Sequence, residues 1–129
     1  MKKIKKLNIG GHVTKKELDE INQQYQKAYN EADEATKAKM NNMILSGQNY
    51  SSADSMNNKS KRDFEYHLKA NIIKAVNNKG IMLDSPTAPT KNIFNGYSST
   101  ESSNLANTLV YRYLNQPTET SQQPSYSTE

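Results

Sequence analysis

From Leu18 onward the apolar residues of this chain fall at Leu18, Ile21, Tyr25, Ala28, Ala32 and Ala35, spaced 3-4-3-4-3. Only a helix brings such positions onto one side, and the seam they make is narrow and heptad-like. The same stretch carries its own start signal. Thr14 and Glu17 form the S/T-x-x-E capping box, in which the hydroxyl accepts the N3 amide and the carboxylate reaches back to the cap amide. Val13 and Leu18 occupy the hydrophobic-staple positions on either side, and Asp19 and Glu20 place negative charge near the positive end of the helix dipole. Asp33 and Lys37 stand in the favoured i,i+4 order. Past Ala35 the seam fails at Lys39 and Asn42, while Met40, Met43 and Ile44 carry the apolar stripe around the helix. With Gly47 as the C′ residue, the reading is one long helix over about residues 15–45, roughly 45 Å at 1.5 Å per residue.

Residues 46–58 read as a polar loop. A second helix is predicted over about 60–78, starting from about Ser60 with Asp63 three residues on, or earlier, near Ser52. Phe64, Leu68, Ile72 and Val76 recur at steps of four, and Gly80 stands at the end as a left-handed cap. Residues 81–97 read as an extended segment. Pro86 and Pro89 favour extended backbone, and Ile81-Met82-Leu83 and Ile93-Phe94 with Tyr97 look like two anchors laid over a surface. Ser98 and Glu101 make another capping box, opening a third helix over about 99–115 with Leu105, Leu109 and Tyr113 on one face. Pro117 ends it, and residues 116–129 form a polar tail read as disordered, with no aliphatic side chain. The fold class is therefore all-α: one long helix and two shorter ones, divided into a basic arm at 1–13, a helical domain at 14–115 and the tail.

Composition limits what this domain can do alone. Leu, Ile, Val and Phe supply only 21 of the 129 residues, whereas Asn, Ser, Thr and Gln supply 45. So little strong apolar surface offsets the conformational entropy of folding only narrowly, which argues against a large self-sufficient enzyme domain. No aliphatic run exceeds three residues, far short of the roughly 20 needed to span a bilayer. The Lys-rich start has no apolar core of 7–15 residues behind it, so no secretory signal peptide is expected, and a location inside the cell, or packaged within it, is the default expectation. With no cysteine, disulfides, thiolate zinc sites and cysteine nucleophiles are excluded.

The polar residues do not assemble a catalytic motif. His12 and His67 lack companions at metal-ligand spacing, and the two carboxylate clusters, at 17–20 and 31–34, lie among hydrophilic neighbours. No nucleophile elbow or phosphate-binding glycine loop is present, and no cofactor is expected. The charge pattern is more informative. Residues 1–16 carry six lysines and no acid, residues 17–34 six acids and one lysine, and residues 59–79 six bases and two acids. Lys2, Lys3, Lys5, Lys6, Lys61 and Arg62 are candidate phosphate contacts, of a non-specific kind because only two arginines exist to read bases. Tyrosines outnumber phenylalanines eight to two, a bias that suits either a thin core or an interface.

The Lys, Asn, Ser and Tyr bias, the basic start running into Asn8-Ile9-Gly10-Gly11, and the polar and proline-containing linkers have a counterpart. In these respects the chain resembles small structural proteins of tailed phages with AT-rich genomes, such as the crAss-like phages of gut bacteria. The resemblance implies a virion component, for instance an auxiliary capsid or connector protein, without catalysis. Two function classes are expected from the sequence: a non-enzymatic structural or assembly protein, and a small nucleic-acid-associated accessory protein. For the first, self-association or docking on a larger assembly is expected through Leu18, Ile21, Tyr25 and Ala28 of the seam and through Ile93, Phe94 and Tyr97.

Overall fold

A computed structural model describes residues 11–53, 56–78 and 97–115. These form four helices, α1 (Lys15–Glu31), α2 (Glu34–Ala53), α3 (Asn58–Asn77) and α4 (Ser99–Leu114), and no strand occurs among the described residues. The all-α reading stands. The basic arm through residue 10, the extended segment up to residue 96 and the tail from 116 lie outside the described residues, and Ile93 and Phe94 with them.

Local chemistry sets the helix starts. At α1, Thr14 Oγ1 accepts the Glu17 amide at 3.1 Å and Glu17 Oε1 accepts the Thr14 amide at 2.8 Å. Ser98 and Glu101 repeat this at α4, at 3.1 and 2.9 Å. The start of α3 falls slightly before Ser60. Asn57 is the cap, its side chain accepting the Ser60 amide at 2.8 Å. Ser60 is then free to act inside the bundle.

The single long helix is corrected to two. Ala32 leaves the helix with extended backbone (φ −81°, ψ 154°), and its N–H turns back to the Tyr29 carbonyl at 3.1 Å. Asp33 restarts the helix as a cap, its carboxylate accepting the Thr36 amide at 2.8 Å. Hydrogen bonding from the Thr36 backbone and side chain holds the Asp33 carboxyl below the usual carboxylate range. Its expected partner, Lys37, lies instead over the Tyr29 ring, 5.5 Å from its centre. The break leaves Ala35 exposed and off the seam.

Most of the expected loop at 46–58 is also helical, because α2 runs on to Ala53. Gly47 ends nothing. It is a buried mid-helix residue at the crossing of α2 and α3, where an added Cβ would stand 2.4 Å from Leu68 Cδ2 and 3.3 Å from Phe64 Cε2. Only the absence of a side chain lets the two helices approach this closely.

The central helix is α3, which packs against the other three. Along α1 it runs parallel, since Val13 meets Asp63 and Asn22 meets Lys69 further down. Against α2 it is antiparallel, with Gly47 over Leu68 and the Tyr50 ring edge-on to Phe64. α4 lies parallel to α3, from Ser60 and Ser102 at one end to a cleft shared by Val76 and Leu114 at the other. The core comprises Met40 and Met43 of α2, Phe64, Leu68, Ile72 and Ala75 of α3, and Leu105, Ala106 and Val110 of α4, joined by Met56 and Tyr97. Each large side chain buried here contributes roughly 1.5–3 kcal/mol. Asn42 also ties α2 to α4, donating to the Tyr113 hydroxyl at 3.1 Å.

Candidate functional site

Because α1, α3 and α4 run parallel, their N-termini share one end of the bundle, and the first two turns of α3 hold that end together. Asp63 has a fully buried side chain and accepts the Val13 amide at 2.7 Å through one oxygen. Its other oxygen pairs with Nδ1 of the partly exposed His12. Beside it, Arg62 Nε donates to the Val13 carbonyl at 2.9 Å. One turn earlier, the buried Ser60 hydroxyl donates to the Tyr97 carbonyl, and the buried Ser102 hydroxyl donates to the Ser60 carbonyl at 3.3 Å. The segments entering α1 and α4 are thereby fixed to the same two turns. A buried carboxylate is tolerable only when its oxygens are hydrogen-bonded, and both oxygens of Asp63 are. This arrangement is a clamp whose groups are spent on each other.

Of the candidate phosphate contacts, Lys61 and Arg62 lie among the described residues. Lys61 is exposed, Arg62 is engaged with Val13, and Lys69 is bonded to both Asn22 and Glu65 at 2.7 Å. Lys2, Lys3, Lys5 and Lys6 lie outside the described residues. Lys15, Lys16 and Lys59 are exposed near the same helix starts as Lys61, so positive charge surrounds the point where the arm joins the bundle.

The seam expected to require a partner is covered inside the chain. Ile21 is buried at 8% exposure, Leu18 is half-buried, and Tyr25 and Ala28 pack partly buried against the core. α3 supplies the cover, and Lys69 lies 5.6 Å over the Tyr25 ring. Burial, reinforced by neighbouring Tyr29, pushes the Tyr25 phenol up to about 12. Tyr97 is likewise a core residue at 3% exposure rather than a surface anchor.

His67 is mostly buried beside Tyr66, with its Nε2 lacking a hydrogen-bond partner. Burial lowers its pKa below the ordinary histidine value, against an opposing pull from Asp63 and Glu17. Among the described residues no group of three or more His, Cys, Asp or Glu could hold a metal ion, and no helix is long and apolar enough to cross a membrane.

Two surface features had not been anticipated. A groove of about 240 Å³ runs between α2 and α3, floored by Ile44, Gly47, Phe64 and Leu68 and edged by Lys61 and Lys69. On the opposite side of α2, Leu45 is 54% exposed, the one large hydrophobic residue so exposed among the described residues. The signal for it was present in the sequence: Leu45 is two residues from both Met43 and Gly47, and a helix turns by about 200° over two residues. The chain matches no family model, no curated protein and no solved structure.

Proposed function

We propose that this chain is a non-enzymatic structural or assembly protein that works by docking on protein, with a phage virion, as an auxiliary capsid or connector protein, the setting its composition suggests. The supporting observation is the outer face of α2. Residues 40–53 contain no charged side chain, yet Asn41, Asn42, Leu45, Ser46, Gln48, Asn49 and Ser52 are all exposed. Charge depletion around an exposed apolar residue is the signature of an interface centre rather than of a solvated face. A photoreactive residue placed at Leu45 in the cells that make the protein should crosslink to protein, and one at the exposed Asp19 on α1 should not. Equal labelling from both, or none from position 45, would overturn the reading.

A second reading, contact with nucleic acid, draws on the exposed Lys15, Lys16, Lys59 and Lys61 around the base of the arm. Counterion release makes such binding weaken steeply between 50 and 200 mM salt, on the order of a thousandfold if about six phosphates are contacted. Absence of duplex binding at low salt would eliminate this reading.

A further inference from the structure

We infer that the occupant of the α2 outer face is α2 of a second copy of this chain, packed antiparallel about a two-fold axis through Leu45. The inference rests on the docking reading above and specifies its partner.

The exposed stripe on α2 is Ala38, Asn41, Leu45, Gln48 and Ser52, with Asn42 and Asn49 beside it. Ala38, Leu45 and Ser52 are seven apart, the repeat that keeps one helix facing another. In a two-fold contact every residue meets a symmetry-determined partner, so the surface must complement itself. With Leu45 on the axis, each position i meets 90 − i. Asn41 then faces Asn49 of the second copy, Asn42 faces Gln48, Ala38 faces Ser52, and Leu45 faces Leu45.

Asn41 and Asn42 each give one amide hydrogen to Tyr29 and Tyr113 of their own chain, at 3.1 Å. They keep a second hydrogen and the carbonyl oxygen for Asn49 and Gln48 of the other copy, a pairing that a charged residue facing its own kind cannot make. The nearest charge on this part of α2, Lys39, lies about 120° around the helix from Leu45, off the contact. The other helices lack this property. α1 carries exposed charge of both signs, with Lys15, Lys16, Asp19, Glu20, Lys27 and Glu31, while α3 exposes Lys59, Lys61 and Lys74 and α4 exposes Arg112. In a chain of net charge +4 the uncharged α2 face is where two copies approach with least repulsion. Leu45 is the single large apolar anchor of this surface, so association should be weak and concentration-dependent rather than obligate.

Because the chain has no cysteine, single engineered thiols report the geometry directly. Helix axes 8–10 Å apart bring the Leu45 Cα atoms within disulfide reach. Under mild oxidation Leu45→Cys should therefore give a covalent dimer. Asn41→Cys alone should not, because two such residues lie about 12 Å apart along the axes, beyond the disulfide limit of about 7 Å. A mixture of Asn41→Cys and Asn49→Cys should crosslink to each other. In parallel, sedimentation of the unmodified chain should show its mass rising with concentration from 14.6 kDa toward twice that. Leu45→Glu, which sets two carboxylates on the axis, should move that transition at least tenfold higher in concentration.

The inference is overturned if Leu45→Cys crosslinks no faster than Asp19→Cys, or if Asn41→Cys alone crosslinks as readily as the mixture. A monomer at every concentration would overturn it as well. Photocrosslinking from position 45 to a different protein would also overturn the second copy while leaving the docking reading intact.

Discussion

Val13 and Asp63, fifty residues apart, are joined by a 2.7 Å hydrogen bond from a backbone amide to a buried carboxylate. This bond fixes where the N-terminal arm leaves the bundle. Asp63→Ala strands the Val13 N–H and the His12 ring nitrogen, and should cost about 1–3 kcal/mol in urea unfolding. Asp63→Asn should cost less, since its carbonyl oxygen can still accept from Val13 and its NH₂ can donate to the other tautomer of His12. Equal losses in the two variants would show that the charge matters and the hydrogen bonds do not.

The contact of Gly47 with Leu68 predicts a non-additive pair. Alanine at a mid-helix glycine gains about 1 kcal/mol in helix propensity, but here its Cβ would press the Leu68 methyl at 2.4 Å. Overpacking of that kind costs about 1–3 kcal/mol, so Gly47→Ala should be neutral to destabilising by about 2 kcal/mol. In a Leu68→Ala background the same change should become stabilising. The double-mutant cycle should give a coupling of at least about 1 kcal/mol, and an additive cycle would show the crossing to be loose.

Acid should reduce stability in two separate windows. His67 is kept neutral by burial, so the unfolded chain takes up its proton near 6.5 while the folded chain does so only at lower pH. Its contribution is therefore intact above 6.5 and falls as the pH drops from there toward the folded value. Asp33 behaves as a cap carboxylate with a depressed folded pKa. Its contribution is present above the ordinary value of 3.8 and is lost as the pH falls through the folded value. Melting temperatures between pH 8 and pH 3 should show both declines. His67→Gln should flatten the upper one and Asp33→Asn the lower; unchanged profiles in these variants would refute the assignments.

The parts of this fold legible in the sequence are those encoded within one turn. Thr14 with Glu17 and Ser98 with Glu101 mark the starts of α1 and α4 because a capping box closes over four residues. The stripe of Phe64, Leu68 and Ile72 marks the buried face of α3 for the same reason. Asp33 was read as the i,i+4 partner of Lys37 within one continuous helix, whereas it caps a new helix by accepting the Thr36 amide. Gly47 was misread because the reason for a glycine there is Leu68, twenty-one residues later on another helix. His12 was read only as lacking metal-ligand companions and Asp63 only as the third residue after Ser60, because each is the other's partner from 51 residues away. The seam of α1 was legible as apolar, but its cover by α3 was not, because periodicity identifies a buried face without identifying what buries it.

The two bonding partners of the Ser60 turn set a timetable for synthesis. The carbonyl of Ser60 waits for the hydroxyl of Ser102, 42 residues later, which at 5–20 residues per second leaves roughly 2–8 s. During that interval α1, α2 and α3 have been made, but the buried face of α3 that belongs to α4 is still bare. Val13 and Asp63 can already be joined, so the nascent chain can hold its beginning in place before its last helix exists. Closure of this bundle is thus a late event in translation, and the bare face of α3 is the surface a chaperone would meet.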